Sequence, residues 1–253
     1  MPKIGIPGAS LHYERCGQGR PLLLIPGALG TCAGDFPGQI GWFAQHGFEV
    51  IAPDPRGYGK SRPPEREYPS DFYTRDAADM FALMSALGHE RFSIIGWSDG
   101  GNIAVIMAAE HPERVARLVV FGGQSFLTEE EIAAFNHIRK ISAWSPRAAE
   151  AMRAVYGDAL DDMWDRYVTG QEELFNAGGD LYQALLPKVC APTLILHGAK
   201  DPLTPGLHAE AIHRAIAGSR LHIFPEGRHN IHIRYVDEFN ALVHAFLTEP
   251  ERS

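Results

Sequence analysis

Short apolar runs alternate with longer amphipathic stretches along most of this chain. Leu22–Ile25, Val50–Ala52, Ile94–Ile95, Leu118–Phe121, Leu194–Leu196 and Leu221–Phe224 are runs of strand length, several closed by proline or glycine. Between them, Asp71–Leu87 carries Phe72, Ala77, Met80, Phe81, Met84 and Leu87 at helical spacing, with Gly88 as its stop. The last stretch, about Ile231–Leu247, sets Tyr235, Phe239, Leu242, Val243 and Phe246 on one helical face. A strand that is apolar at every position is covered on both faces. The pattern therefore predicts an α/β fold, a mostly parallel central sheet with helices on both sides. Ile4–Ile6 and Leu11–Arg15, around Pro7-Gly8, predict a leading antiparallel hairpin.

The alternation stops between Gln124 and Pro192. Helical patterns lie around Glu129–Trp144, Pro146–Tyr156, Leu160–Val168 and Leu181–Leu186, and no strand pattern accompanies them. Residues 1–123 and 191–253 are thus expected to form the core, and residues 124–190 a helical lid over the C-terminal edge of its sheet. That edge is where open α/β sheets bind ligands. The plainer alternative is that these helices only complete the globule.

Gly96-Trp97-Ser98-Asp99-Gly100-Gly101 sits between the run ending at Ile95 and the unbroken apolar stretch Ile103–Ala109. Strand, sharp turn and helix fit that order, and G-x-S-x-G in such a context is a nucleophile elbow. The glycines remove Cβ atoms where backbones crowd, so Ser98 can present its hydroxyl from a strained turn. The helix starts at once, so the Asp99 N–H faces whatever Ser98 attacks and supplies half of an oxyanion hole. The other half belongs to Ala28 or Leu29, in the loop Pro26–Gly30.

A serine hydroxyl needs a base, and the base needs an acid to orient it. Asp201 follows the Leu194–Leu196 strand and His229 follows the Leu221–Phe224 strand, so the order Ser98, Asp201, His229 places three catalytic side chains at one sheet edge. Other readings compete. Asp201 could cap the next helix. Glu226 is a carboxylate only three residues from His229, His232 is a second imidazole but falls inside the final helix, and His197 reads as a packing residue. The loop Gly122-Gly123-Gln124-Ser125 offers no carboxylate, which strengthens Asp201. Gln124 and Leu203, on loops at the same edge, join Asp99 as the substrate-binding candidates.

Composition narrows the function classes. The chain has 253 residues, 45% hydrophobic and 21% charged, enough for one large domain with a sizeable core. A net charge of −8 without a basic cluster argues against nucleic acid as a partner. Met1–Ser10 has neither the basic nor the apolar part of a secretory signal, and no apolar run approaches a membrane span. Cys16, Cys32 and Cys190 are few and widely spaced, as expected of reduced thiols in a cytoplasmic protein; a monomer is the default. No Cys-x-x-Cys or His-Glu-x-x-His occurs, and His229 and His232 lack a third ligand nearby, so neither metal nor cofactor is expected. Asp54–Ser61 ends in Gly-Lys-Ser, but Asp54 stands where a phosphate loop needs its first glycine; those glycines read as a tight turn.

Together, Pro26-Gly27, Asp54-x-Arg56-Gly57-x-Gly59-x-Ser61, the elbow, His197-Gly198-x-x-Asp201 and Gly227-x-His229 resemble the α/β-hydrolase superfamily over nearly the whole chain. Within it the likeness runs to the valacyclovir hydrolase, or biphenyl hydrolase-like, group. The residues that carry it are Gly96–Gly101, Asp54–Gly59, His197-Gly198-x-Lys200-Asp201-Pro202-Leu203 and Pro225-Glu226-Gly227-x-His229-Asn230. The resemblance implies a hydrolase of α-amino acid esters with Ser98 as nucleophile, Asp201 as acid and His229 as base. It also implies that Asp99 reads the substrate's ammonium group. One departure is the small Ala28, where a larger apolar residue is familiar. Chemistry supports the role of Asp99 separately, because a carboxylate in a pocket is costly without a partner and an α-ammonium is one. The competing role is only to favour the helix N-terminus. Carbon–carbon bond hydrolases and perhydrolases share the layout and remain alternatives, as does a non-catalytic receptor. Epoxide hydrolases and dehalogenases need a carboxylate where Ser98 stands.

Overall fold

The computed structural model describes residues 2–250. Eight strands form one sheet: β1 (Lys3–Ile6), β2 (Ala9–Gly17), β3 (Arg20–Ile25), β4 (Phe48–Pro53), β5 (Phe92–Trp97), β6 (Val115–Phe121), β7 (Thr193–Gly198) and β8 (Arg220–Phe224). Their spatial order is β1-β2-β4-β3-β5-β6-β7-β8. The leading hairpin is antiparallel, β2 runs antiparallel to β4, and every later pairing is parallel.

Among the described residues, ten α-helices surround it: α1 (Cys32–Asp35), α2 (Ile40–Gln45), α3 (Phe72–Ala86), α4 (Asp99–Glu110), α5 (Glu129–His137), α6 (Pro146–Tyr156), α7 (Leu160–Asn176), α8 (Gly206–Ala215), α9 (Ile231–Arg234) and α10 (Val236–Thr248). The continuous apolar strands serve two faces alternately. Leu23, Ile94, Leu118 and Ile195 pack with α3, α4 and α8. Leu22, Leu24, Ile95, Val119 and Leu194 pack with α1, α2, α9 and α10 on the other side. Helix α4 is buried on every face from Asp99 to Ala109, which is why residues 103–109 are apolar without a break.

A third cluster belongs to the segment between β6 and β7. Phe135, Leu160, Met163, Trp164 and Val168 pack together there, and they meet the rest of the protein through Leu29 and Tyr58. The segment contains no named strand, and its ends are tied by an isolated bridge between Phe126 and Asp180. Helix α5 opens with a capping box between Thr128 and Glu131, and Ser145 caps α6 by accepting the Ala148 N–H at 3.3 Å.

Four helical expectations need correction. The Glu129–Trp144 pattern divides into α5 and a 3₁₀ turn at Ile141–Ala143. Helix α7 runs eight residues past Val168, where polar residues mask the periodicity although Gln171 is fully buried. The Leu181–Leu186 pattern is a 3₁₀ segment, Gln183–Lys188, that holds Pro187, whose missing N–H bars a regular helix. The final helix breaks at Tyr235 (φ −118°, ψ 47°): its N–H closes the turn onto Ile231 O at 2.8 Å, and α10 starts afresh from its carbonyl. Asp54–Ser61 forms a tight turn, with Asp54 Oδ2 accepting the Lys60 N–H at 2.8 Å. Among the described residues no helix is long and apolar enough to cross a membrane.

Candidate active site

Ser98 joins β5 to α4 with φ 55° and ψ −123°, a positive-φ conformation that costs a non-glycine residue roughly 1–3 kcal/mol. Its N–H donates to Phe121 O at 2.9 Å and its carbonyl accepts from Gly101 at 2.8 Å, which hold the turn. The flanking glycines are required by close approach. A Cβ on Gly96 would lie 2.2 Å from Gly100 O, and one on Gly100 would lie 2.1 Å from Ile25 O. Strand and helix can pass this closely only without side chains there.

Leu29 is the other described non-glycine residue with positive φ, also 55°. Three bonds restrain its loop. Gly27 N–H donates to Asp35 Oδ2 at 3.0 Å, Gly30 N–H to Gly27 O at 3.0 Å, and the Tyr156 hydroxyl to Leu29 O at 2.7 Å. The amides of Ala28, Leu29 and Asp99 reach no acceptor among the described residues. They are therefore available to a substrate oxyanion. Ala28 lines the cavity described below, whereas Leu29 is buried behind it.

Asp201 leaves β7 and His229 leaves β8, and the two loops are laced together. Ala199 N–H donates to Phe224 O at 3.0 Å and Lys200 N–H to Gly227 O at 2.8 Å. His229 Nδ1 lies 2.7 Å from Asp201 Oδ2, while Oδ1 accepts the Leu203 and Thr204 amides at 2.9 and 3.1 Å. Burial pushes the Asp201 carboxyl up, but His229 and the two amides outweigh it and hold the group below its ordinary range. The carboxylate is thus ionised near neutrality and His229 Nδ1 is the donor. The Trp97 indole N–H fixes the histidine backbone from the other side, at 3.2 Å from His229 O.

Ser98 and His229 open on one cavity of about 470 Å³, although no hydrogen bond joins their side chains among the described residues. Gln124 and Leu203 line it, as do Trp144, Trp164 and Tyr167 from the segment between β6 and β7. Trp144 and Trp164 both spend their indole N–H on Ile138 O, at 2.9 and 2.8 Å, so the rings offer apolar surface.

Asp99 is placed differently from the sequence expectation: its side chain is buried beneath the cavity and not among its walls. Oδ1 accepts from Tyr73 at 2.7 Å and from Tyr167 at 3.1 Å, whereas Oδ2 has no partner among the described residues. Burial pushes the carboxyl up to about 6, opposed by the two phenols and by Arg66. The rival residues lie elsewhere. Glu226 is exposed and pairs with Lys200. His232 is fully buried in α9, bonds Asp35 O at 2.7 Å and is pushed down to about 3 by burial. His197 is buried with Nε2 unpartnered and is likewise pushed down.

Sequence reasoning missed Asp35, Tyr73, Tyr156 and Tyr167. The three tyrosines act through hydrogen bonds made across 26 to 127 residues of chain, and Asp35 bonds the Gly27 N–H eight residues back across a loop; no periodic pattern reports either kind of bond. Among the described residues, His12, Cys32 and Asp54 form one group with metal-like spacing, their ligand atoms within 4.8 Å. Asp54 already takes the Cys32 N–H at 2.9 Å, the Lys60 N–H and, at 3.1 Å, His12 Nδ1. Burial, then Asp54, pushes the Cys32 thiol far up, away from the thiolate a metal needs.

The model of the alpha/beta hydrolase fold matches residues 20–155. Serine hydrolase BPHL of Homo sapiens is 43% identical over 248 residues, covering 97% of this chain and 85% of the relative. A 2-hydroxymuconate semialdehyde hydrolase of Pseudomonas putida is 30% identical over 265 residues, covering 96% and 91%. Among solved structures, a meta-cleavage product hydrolase from Pseudomonas fluorescens IP01 superposes with a TM-score of 0.81 at 23% identity, covering 97% of each chain.

Proposed function

The chain belongs to the alpha/beta hydrolase fold family, is similar throughout to serine hydrolase BPHL, and from that premise we propose that it cleaves small carboxylic esters of α-amino acids through an acyl-enzyme. The observation that carries the reading is the His229–Asp201 bond, 2.7 Å long, at the mouth of the cavity that Ser98 enters from a strained turn. Ser98 attacks the ester carbonyl and its proton passes to His229 Nε2. The amides of Asp99 and of Ala28 or Leu29 receive the oxyanion, which is worth about a hundred- to thousandfold per donor. The alcohol departs with the proton from His229. Water then gives a proton to His229, attacks the acyl carbon and releases the acid, and Ser98 recovers its proton. Asp201 keeps Nδ1 protonated throughout. In this reading residues 124–190 form the lid, and no cofactor takes part.

The unpartnered Asp99 Oδ2 supports the amino-acid preference. A buried acceptor without a donor costs about 1–3 kcal/mol, and a substrate ammonium that displaces the Tyr167 ring standing between the cavity and Asp99 would supply one through a charge-assisted bond. At roughly 1.5–3 kcal/mol that bond gives about tenfold to a hundredfold preference over the des-amino ester. The experiment compares valine esters with isovalerate esters, using Asp99→Asn and, as a dead control, Ser98→Ala. Equal loss on both esters in Asp99→Asn removes the ammonium reading, and undiminished turnover by Ser98→Ala removes the mechanism.

A second reading, hydrolysis of a carbon–carbon bond by the same side chains, draws on the relative named 2-hydroxymuconate semialdehyde hydrolase and on the apolar cavity walls. It gives Asp99 Oδ2 no role. A panel of diketones against amino-acid esters separates the two.

A further inference from the structure

We propose that Tyr156, the last residue of α6, is a positioning residue for the oxyanion hole, so that the segment between β6 and β7 sets the geometry of the hole as well as covering the cavity. The proposal rests on the serine-hydrolase reading above. Its ground is the peptide plane between Leu29 and Gly30, which is clamped at both ends. The carbonyl accepts the Tyr156 hydroxyl at 2.7 Å, and the N–H donates to Gly27 O at 3.0 Å. Leu29 is thereby kept at φ 55°, a conformation it would otherwise leave, and its amide keeps one direction.

The Tyr156 hydroxyl is a junction of three segments. It donates to the loop that carries Ala28 and Leu29, accepts the Gly59 N–H of the Asp54–Ser61 turn at 3.1 Å, and belongs to α6. The residue is 5% exposed, so water does not substitute for it easily. Burial pushes the phenol far above its ordinary range, so it remains a donor at every working pH. Ser145 and Ala148, at the start of this same helix, line the cavity. A ligand pressing on one end of α6 therefore bears on the element that holds the oxyanion loop at the other.

A purely structural tyrosine would make a different prediction, which a neighbour can report. Tyr58 lies in the same apolar cluster and spends its buried hydroxyl on Tyr68 at 2.9 Å, with no bond to the loop. The experiment measures kcat and KM on p-nitrophenyl acetate for Tyr156→Phe and Tyr58→Phe, the rate at which a fluorophosphonate labels Ser98, and hydrogen exchange of the 26–31 peptide. The expected result for Tyr156→Phe is a tenfold or greater fall in kcat with KM within twofold. Labelling slows by a similar factor and exchange quickens at 26–31, while Tyr58→Phe keeps wild-type kcat. A Tyr156→Phe enzyme whose kcat and labelling stay within twofold of wild type overturns the proposal. Equal losses in both variants overturn it too, because the effect is then general loosening. Failure of the wild type to label at Ser98 overturns the hydrolase reading and this one with it; the other outcomes bear on this one alone.

Discussion

Tyr167 stands between the cavity and Asp99: its ring lines the space beside Ser98, and its hydroxyl donates to Asp99 Oδ1 at 3.1 Å. Tyr73 donates to the same oxygen from the other side at 2.7 Å. One carboxylate oxygen thus has two phenols and the other has none. Two neutral donors do not offset the burial of a charge, which is why the group is pushed up to about 6. A cation beside Oδ2 would complete the site and pull that value down.

Under the proposed function, that placement gives discrimination between amino and des-amino esters a pH signature. The carboxylate must be ionised to read an ammonium, so the ratio of kcat/KM for a valine ester to that for its isovalerate counterpart rises through about pH 6. It falls again where the substrate amine loses its proton, near 7.7–8.0 for an ordinary α-amino group. Any pH dependence common to both esters cancels in the ratio. A ratio flat from pH 5 to 9 would contradict the assignment.

Replacing Tyr167 by phenylalanine removes one of the two donors and leaves the ring in place. A hydrogen bond to a charged group contributes roughly 1.5–3 kcal/mol, equivalent to about one pH unit or more. The acid limb of the ratio is expected to move upward by about that much, toward pH 7. Turnover of the isovalerate ester at pH 8 should stay within threefold. An unmoved limb would mean that the phenol does not tune Asp99.

Asp201→Asn tests how far the His229 tautomer depends on its carboxylate. The amide can still accept the Leu203 and Thr204 N–H groups through Oδ1, so the loop should hold and the melting temperature should change little. The other side-chain atom becomes an N–H facing His229 Nδ1, which now serves as acceptor and puts the proton on Nε2, the wrong nitrogen for a base. In a serine protease triad this change lowers kcat about 10⁴-fold. A comparable loss is expected at neutral pH. A loss under tenfold would show that another group orients the imidazole.

The fold was legible because its main signals are local. Continuous apolar runs such as Leu22–Ile25 report a strand covered on both faces, and residues 96–101 report a strand-to-helix turn where Gly96 and Gly100 alone can pass. What escaped depends on contacts between distant segments. The break at Tyr235 leaves no mark in the apolar spacing of Phe239 and Val243, and the end of α7 hides because Gln171 is buried by partners such as Tyr73 that lie 98 residues away. The depth of Asp99 was invisible for the same reason. Sequence places it beside Ser98, but only Tyr73 and Tyr167, from α3 and α7, decide that it lies below the cavity.

Asp35 couples stability to pH at the foot of the Pro26–Gly30 loop. Its carboxyl is buried, accepts the Gly27 N–H through Oδ2, and is pushed up to about 7 by burial, with Asp54 adding to the effect while the Gly27 bond and His229 oppose it. In the unfolded chain the group titrates near its ordinary 3.8. Between those values the native state binds more protons than the unfolded state, so this residue makes stability fall as pH rises from about 4 to 7 and has no further effect above. At about 1.4 kcal/mol per pH unit the full effect is on the order of 4 kcal/mol at most. Asp35→Asn keeps an acceptor for Gly27 but carries no charge. The variant should therefore gain on the wild type progressively from pH 4 to 7, then keep a constant lead, in urea unfolding measured at each pH. Its esterase activity at pH 8 should stay within about threefold, because the loop anchor survives, whereas Asp35→Ala, which removes the anchor, should lose both activity and melting temperature. Parallel stability curves for wild type and Asp35→Asn would show that the buried carboxyl does not titrate in this window.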